Sequence, residues 1–135
     1  MAVMVKLYEN EFGNEKTRGK WFARVVRTGT TDIAELAERI QRNSTFKTGE
    51  VRGIIIELVE EIKRCLQDGQ TVDLEGLGRF HLTVESRHVD RKEDFRTDRD
   101  VTAVKCKFKP AGRRRKDGTI QQLLAEGAEV QRWKE

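Results

Sequence analysis

The sequence predicts an α+β fold in which two amphipathic helices lead into an antiparallel β-sheet. Three observations carry this. Ile33, Leu36, Ala37 and Ile40, then Val51, Ile54, Ile55, Leu58, Val59, Ile62, Cys65 and Leu66, recur at the three-and-four spacing of one helical face. Phe80, Leu82 and Val84, and later Val104, Cys106 and Phe108, alternate with polar residues as half-buried strands do. Between the two patterns, Thr71-Val72-Asp73-Leu74-Glu75-Gly76-Leu77-Gly78-Arg79-Phe80 marks a short strand and a glycine turn.

A chain of 135 residues that is 36% hydrophobic and 37% charged makes one domain, with room for an appendage. That apolar fraction is lean for a monomeric core, and a partner subunit sharing the burial would relieve it. The formal charge of +4 says less than its distribution. Residues 1–48 carry +3, 49–85 carry −4, 86–118 carry +6 and 119–135 carry −1. Positive excess therefore flanks an acidic helix-and-turn segment, which can give one positive and one negative face. Two cysteines make no disulfide framework, and Cys65 and Cys106 are expected as buried thiols. No apolar run approaches the ~20 residues of a membrane helix. Met1 to Val5 is too short and too polar in its surroundings for a signal peptide. A soluble, cytoplasmic protein without a membrane partner is expected.

Taken in order, Val3, Val5 and Leu7 alternate as a first strand. Glu9 to Lys20 is a polar link, and Trp21 to Arg27 reads as a second strand. Whether the two pair as a hairpin stays open across a twelve-residue link. Thr31 or Asp32 can cap the first helix, which runs to about Gln41. Thr48 is expected to cap the second, with Glu50 near its positive end and Gln67 near its exit. Gly53 inside that helix costs up to ~1 kcal/mol relative to alanine, which a closely crossing helix would explain. Gly76 and Gly78 point to positive φ or a close approach.

Ser86 to Asp100 either extends the hairpin as an arm or forms a mobile polar loop. Val101 and Ala103 have the opposite parity from Val104, so a bulge is expected there. Pro110 ends the ladder. Arg113 to Lys116 and the turn Asp117-Gly118 follow. Thr119 is expected to cap a short helix to about Ala125, with Leu123 and Leu124 docking and Trp133 anchoring the tail.

No catalytic constellation is present. His81 and His88 lack a spaced set of metal ligands, and Glu57, Glu60 and Glu61 fit the solvent side of a helix. No cofactor or metal is implied. The basic residues say more. Lys105, Lys107 and Lys109 point one way from a strand, and Arg113, Arg114, Arg115 and Lys116 continue the positive track. Such an array suits phosphate oxygens, whose contacts position a protein on a duplex without reading bases. Arg87, Arg91, Lys92, Arg96 and Arg99 could extend the footprint, against five acids interleaved with them.

At these residues the chain resembles the HU/IHF family of bacterial histone-like DNA-binding proteins, in particular HU-related members with an N-terminal extension. The resemblance covers roughly Thr31 to Lys116 and is strongest at Gly69 to Phe80 and at Cys106-Lys107-Phe108-Lys109-Pro110. It implies an HU-like domain over 31–118, with an arm at about 86–100, and leaves the two strands read in residues 1–30 as a β-rich N-terminal extension. A short C-terminal helix or tail occupies 119–135. It also implies an intertwined homodimer with a helical body and an antiparallel β-saddle bearing arms. The implied activity is sequence-tolerant binding of double-stranded DNA through phosphate and minor-groove contacts, with an architectural role at the nucleoid.

Two departures bear on that. The family arm carries a glycine-arginine-asparagine-proline segment whose proline wedges between base pairs, and Ser86 to Asp100 holds none of proline, glycine or asparagine. Only Phe95 offers a chemical substitute, as an apolar group able to insert between base steps. Weaker kinking is therefore expected. The second departure is the extension itself, which offers a surface for an additional protein partner. The alternative is a dimeric protein-interaction or structural module whose DNA binding is weak or lost.

Overall fold

The computed structural model describes residues 1–134. In chain order its elements are β1 Val3–Glu9, β2 Trp21–Val25, α1 Ile33–Arg42, α2 Thr48–Gln67, β3 Val72–Leu74 and β4 Gly78–Ser86. A 3-10 turn Lys92–Asp94 and the one-turn α3 Thr97–Asp100 lead to β5 Val101–Pro110, β6 Gly112–Arg114 and β7 Ile120–Gln122. A second 3-10 turn, Leu123–Ala125, precedes β8 Val130–Arg132. The architecture is α+β, in two compact units: Ile33–Leu124, and residues 1–32 together with the stretch from Ala125 onward.

In the smaller unit, β1 and β2 form an antiparallel hairpin with Tyr8 opposite Phe22 and Lys6 opposite Arg24. The long link closes because Asn10 and Lys20 join through their backbones at 2.8 Å, and the Asn14 side chain accepts from the amides of Lys16 and Thr17. Asparagine makes such local turns readily. The C-terminal tail is a strand: β8 pairs in parallel with β1, and the Trp133 amide donates to the Val5 carbonyl at 2.8 Å.

In the larger unit α1 packs against α2, and Ala37, Val51 and Leu66 are the unit's buried apolar residues. Thr48 is the first residue of α2 and does not serve as its cap. The Gln41 side chain reaches from the end of α1 and accepts from the Thr48 amide at 2.6 Å, and from its hydroxyl. An amide oxygen from the preceding helix thus takes the role foreseen for Thr48, satisfying a helix-start N–H that has no intrahelical partner. Gly53 has nothing within 4 Å of where a side chain would begin. The close helix crossing expected there is not made within the chain.

The sheet order is β3-β4-β5, all antiparallel. Gly78 has φ 152° and lies so near Lys109 and Phe108 that an added Cβ would sit 2.3 Å from the Lys109 carbonyl oxygen. Both reasons for glycine hold at this position. The ladder shifts register between Glu85 and Ser86, leaving Thr102 as the extra residue of the bulge foreseen before Val104.

One face of this sheet is apolar and open. Val59, Ile62, Leu66, Phe80, Leu82, Val104 and Cys106 line a groove of about 580 Å³ between α2 and the sheet. A second groove runs along α2 past Phe46, Gly49, Gly53, Ile54 and Leu58. Ile54 is 60% exposed, Val84 61% and Val104 60%. Cys65 is half-buried but Cys106 is exposed, against the expectation of two buried thiols, because the face that carries Cys106 lies uncovered on a single chain.

The expected helix after Thr119 is instead β7, paired with β6 as a short hairpin. Asp117 decides this. Its carboxylate accepts from the Thr119 amide at 2.9 Å and hydroxyl at 2.6 Å, while Gly118 takes φ 90°. These contacts hold the Asp117 carboxyl below its usual pKa range, the Thr119 hydroxyl bond contributing most. Aspartate-glycine is a strong hairpin signal, and Thr119 is consumed by the turn. Leu123 is half-buried and Leu124 stays 66% exposed. Among the described residues no helix is long and apolar enough to cross a membrane.

Candidate nucleic-acid interface

Directly opposed residues of an antiparallel pair share a face. The β4–β5 register sets Arg79 against Lys109, His81 against Lys107 and Thr83 against Lys105. The three lysines therefore stand on one face with Arg79 and His81. The other face carries Phe80, Leu82, Val84, Val104, Cys106 and Phe108, with the Phe80 and Phe108 rings 4.7 Å apart. The cations stand on the face opposite the apolar one.

Acids partly offset this face. Glu85 pairs with Lys105 at 2.5 Å, and Asp73 with Arg79 at 3.5 Å. Both pairs are exposed, and exposed pairs are worth only about 0–1 kcal/mol, so an incoming phosphate can exchange for either carboxylate. Among the described residues Lys107 and Lys109 are in no ion pair. Arg79 and His81 were not singled out as basic-face residues from sequence. Arg79 shares the parity of His81, and that alternation was the available signal.

Arg113 to Lys116 do not continue the track along β5. They lie on the separate β6–β7 hairpin, where Arg113 opposes Gln121 and Arg114 opposes Ile120. Alternation sends Arg113 and Arg115 to one side and Arg114 to the other. The Arg115 guanidinium hydrogen-bonds the Gln121 side-chain oxygen, a neutral partner that orients the charge without cancelling it.

The 87–100 segment is a folded loop and not an extension of the ladder, which stops at Ser86 and Val101. Its organiser is Asp100, only 3% exposed. The Asp100 carboxylate accepts from the Arg99 guanidinium through both oxygens at 3.0 Å and from the Arg96 amide at 2.8 Å. The Arg87 amide donates to the Asp100 carbonyl at 2.7 Å, closing the base. The Arg99 bond, then the Arg96 amide, hold the Asp100 carboxyl below its usual pKa, and the same bond raises that of Arg99. Arg96 also pairs with Asp98 at 2.8 Å, and Arg99 donates to the Asp94 carbonyl. Arg96 and Arg99 are thus engaged within the loop, and the Arg87 charge also acts on Asp100. Arg87, Arg91 and Lys92 are in no ion pair among the described residues. Phe95 is 37% exposed.

Among the described residues no group of three or more histidine, cysteine, aspartate or glutamate side chains is placed to hold a metal ion. His81 belongs to the basic sheet face and His88 lies exposed beyond the end of β4.

A solved structure from Bacteroides vulgatus ATCC 8482, described as a candidate bacterial DNA binding protein, superposes with a TM-score of 0.60 at 16% identity. The likeness covers 98% of this chain, which spans 50% of that one, and at this identity it carries the fold alone. No curated protein matches the chain. The family model HU-HIG, described as an HU domain fused to wHTH, Ig or a glycine-rich motif, matches residues 1–124. That span takes in the N-terminal hairpin as well as the helices and the β4–β5 sheet. With the match running through almost the whole sequence, the chain belongs to the HU-HIG family of HU-type domains.

Proposed function

We propose that the chain binds double-stranded DNA with little base selectivity, as a homodimer, in a non-catalytic architectural role at the bacterial nucleoid in the cytoplasm. The observation that carries this reading is the β4–β5 ladder, which turns Lys105, Lys107 and Lys109, with Arg79 and His81, away from an apolar face. In the dimer the apolar grooves along α2 and under the sheet are covered by the second copy, and the two sheets make a saddle. The lysines contact phosphates across the minor groove. The 87–100 loops, without a proline wedge, kink the duplex less than wedge-bearing relatives do, and Arg87, Arg91 and Lys92 add charge contacts at the flanks. The N-terminal sheet is offered to an additional protein.

Titrating several duplex sequences, plus a nicked one, across a range of salt tests this. Affinities should be similar across sequences and fall linearly in log-log form as salt rises. Absence of binding at low salt would overturn the reading. Light scattering should give the mass of two chains, and Ile54→Arg should shift it to one, because a buried unpaired charge in the groove is costly. A wild-type monomer over a broad concentration range would contradict the dimer. The 87–100 loop favours a second reading, a dimeric protein-interaction module with weak DNA binding, because its acids engage Arg96 and Arg99 internally. The same titration separates the two.

A further inference from the structure

We infer that one face of the N-terminal sheet, ordered β2-β1-β8, is a stacking platform for single-stranded nucleic acid, with unpaired bases held on its aromatic rings and their phosphates on its cations. The inference concerns the smaller unit alone and stands apart from the duplex-binding reading above.

Strand register sets the face. Lys6 stands opposite Arg24, Tyr8 opposite Phe22, and Gln131 of β8 beside Met4. Partners across a ladder share a face, and neighbours along a strand alternate between faces. One side therefore carries Met4, Lys6, Tyr8, Phe22, Arg24 and Gln131. Trp133, just past β8, joins them, with the Lys6 ammonium 5.8 Å from its ring centre. The other side is mainly aliphatic, with Val3, Val5, Ala23, Val25 and Val130, and remains for the protein partner proposed above.

The rings are open to a partner. The Tyr8 and Phe22 ring centres are 6.3 Å apart, and Tyr8, Phe22 and Trp133 are all exposed. The Arg24 guanidinium carbon lies 5.8 Å from the Tyr8 ring centre and 5.1 Å from that of Phe22. Aromatic rings set beside cations hold successive bases by their π-faces and the backbone by charge. A flat guanidinium stacks on a base as well.

Charge calls for an anion. Lys6 and Arg24 are directly opposed across two strands, where like charges destabilise the pair. Among the described residues neither is in an ion pair. The one acid within these three strands, Glu9, opposes Trp21 and alternates to the other face. Arg132 and Lys134 line a hollow of about 890 Å³ together with Lys6 and Trp133, so a phosphate backbone leaving the rings meets further cations. The rings then decide which anion. A duplex keeps its bases stacked within itself and offers this face phosphates alone. An acidic peptide satisfies the cations and gives the rings no flat partner. An unpaired strand supplies both, and every base has a π-face.

The test is fluorescence anisotropy of the full chain with an oligothymidylate and an oligouridylate of about 12 nucleotides, within the span of such platforms. Both should bind. The double variant Tyr8→Leu, Phe22→Leu should weaken oligonucleotide binding by at least about tenfold, the order of losing one or two stacked bases. Its duplex affinity should stay within about twofold of wild type. The Lys105→Gln, Lys107→Gln, Lys109→Gln variant should do the reverse, losing duplex and keeping the oligonucleotides. A second readout needs no change on the platform. The chain has two tryptophans, so Trp21→Phe, on the opposite face, leaves Trp133 as the sole indole. Either oligonucleotide should quench its emission, whereas polyphosphate and polyglutamate should not. Equal binding by a folded double variant, or quenching by polyphosphate, overturns the inference. Polyglutamate that quenches Trp133 and displaces the oligonucleotide overturns it in favour of an acidic protein segment. If oligonucleotide binding disappears with the three lysines, the platform falls and the duplex-binding reading survives. If oligonucleotides bind and duplexes do not, that reading falls and the platform stands.

Discussion

The basic face of β4–β5 and the 87–100 loop are both rich in cations, yet the structure treats them differently. On the sheet, the ladder holds Lys105, Lys107 and Lys109 on one side, and among the described residues only Lys105 of the three meets an acid. In the loop, Asp100 and Asp98 gather Arg99 and Arg96 into the fold of the loop itself. A count of cations alone rates the two regions as similar, although five acids bring the 87–100 loop to net zero. Geometry separates charge that is presented to a partner from charge that holds a turn together. A cation at regular strand spacing has its direction set by the backbone, whereas in the irregular segment Arg99 and Arg96 turn to the aspartates one and two residues away.

Four experiments sharpen or break that contrast. The largest effect is expected from replacing Lys105, Lys107 and Lys109 together with glutamine. Duplex affinity should fall about 100-fold near 0.1 M salt, since a few lost phosphate contacts carry most of a non-specific interaction, with native circular dichroism retained. Next, Arg87, Arg91 and Lys92 replaced together by glutamine should weaken binding by about threefold to tenfold, a smaller loss because these cations lie beyond the end of the β4–β5 ladder. A loss equal to the lysine variant's would erase the contrast. Third, Asp100→Ala should speed proteolytic cleavage within 87–100, as Arg99 and the Arg96 amide lose their acceptor, while duplex affinity changes by less than about twofold. A large fall in affinity would mean that the shape of the loop matters to binding. The smallest effect concerns pH. The folded Asp100 pKa is depressed, so its contribution to loop stability is fully present above the unfolded value of about 3.9. That contribution is lost as pH falls through the lower folded value. Loop protection in limited proteolysis with an acid-active protease should therefore persist just below pH 4, and loss of protection well above pH 4 would contradict the latch.

Much of the larger unit was legible from its residues. Helix periodicity placed α1 and α2, and alternation placed β4 and β5, because one face of each is apolar over many residues. Glycines at 76 and 78 announced the turn, and the parity change around Val104 announced the bulge at Thr102. What could not be read lay in short or non-local pairings. β8 is three residues with no pattern of its own, and its parallel pairing to β1 depends on a segment more than a hundred residues away. The 87–100 loop left arm and mobile loop both open because spacing does not tell which aspartate will be buried, and Asp100 is the one that is. The reading of Thr119 as a helix cap overlooked the stronger demand of Asp117-Gly118 for a hairpin turn. For the candidate site, the lysines were visible from alternation. Their alignment with Arg79 and His81 required the strand register.

The most direct test of the central claim is the salt dependence of duplex binding for wild type beside the Lys105, Lys107 and Lys109 glutamine variant. Each phosphate contact contributes about 0.9 to the slope of log affinity against log salt. The account predicts a slope shallower by about 2.7 for each engaged subunit when the three lysines are removed. An unchanged slope with unchanged affinity would contradict it, placing the DNA-binding charge somewhere other than the β4–β5 face.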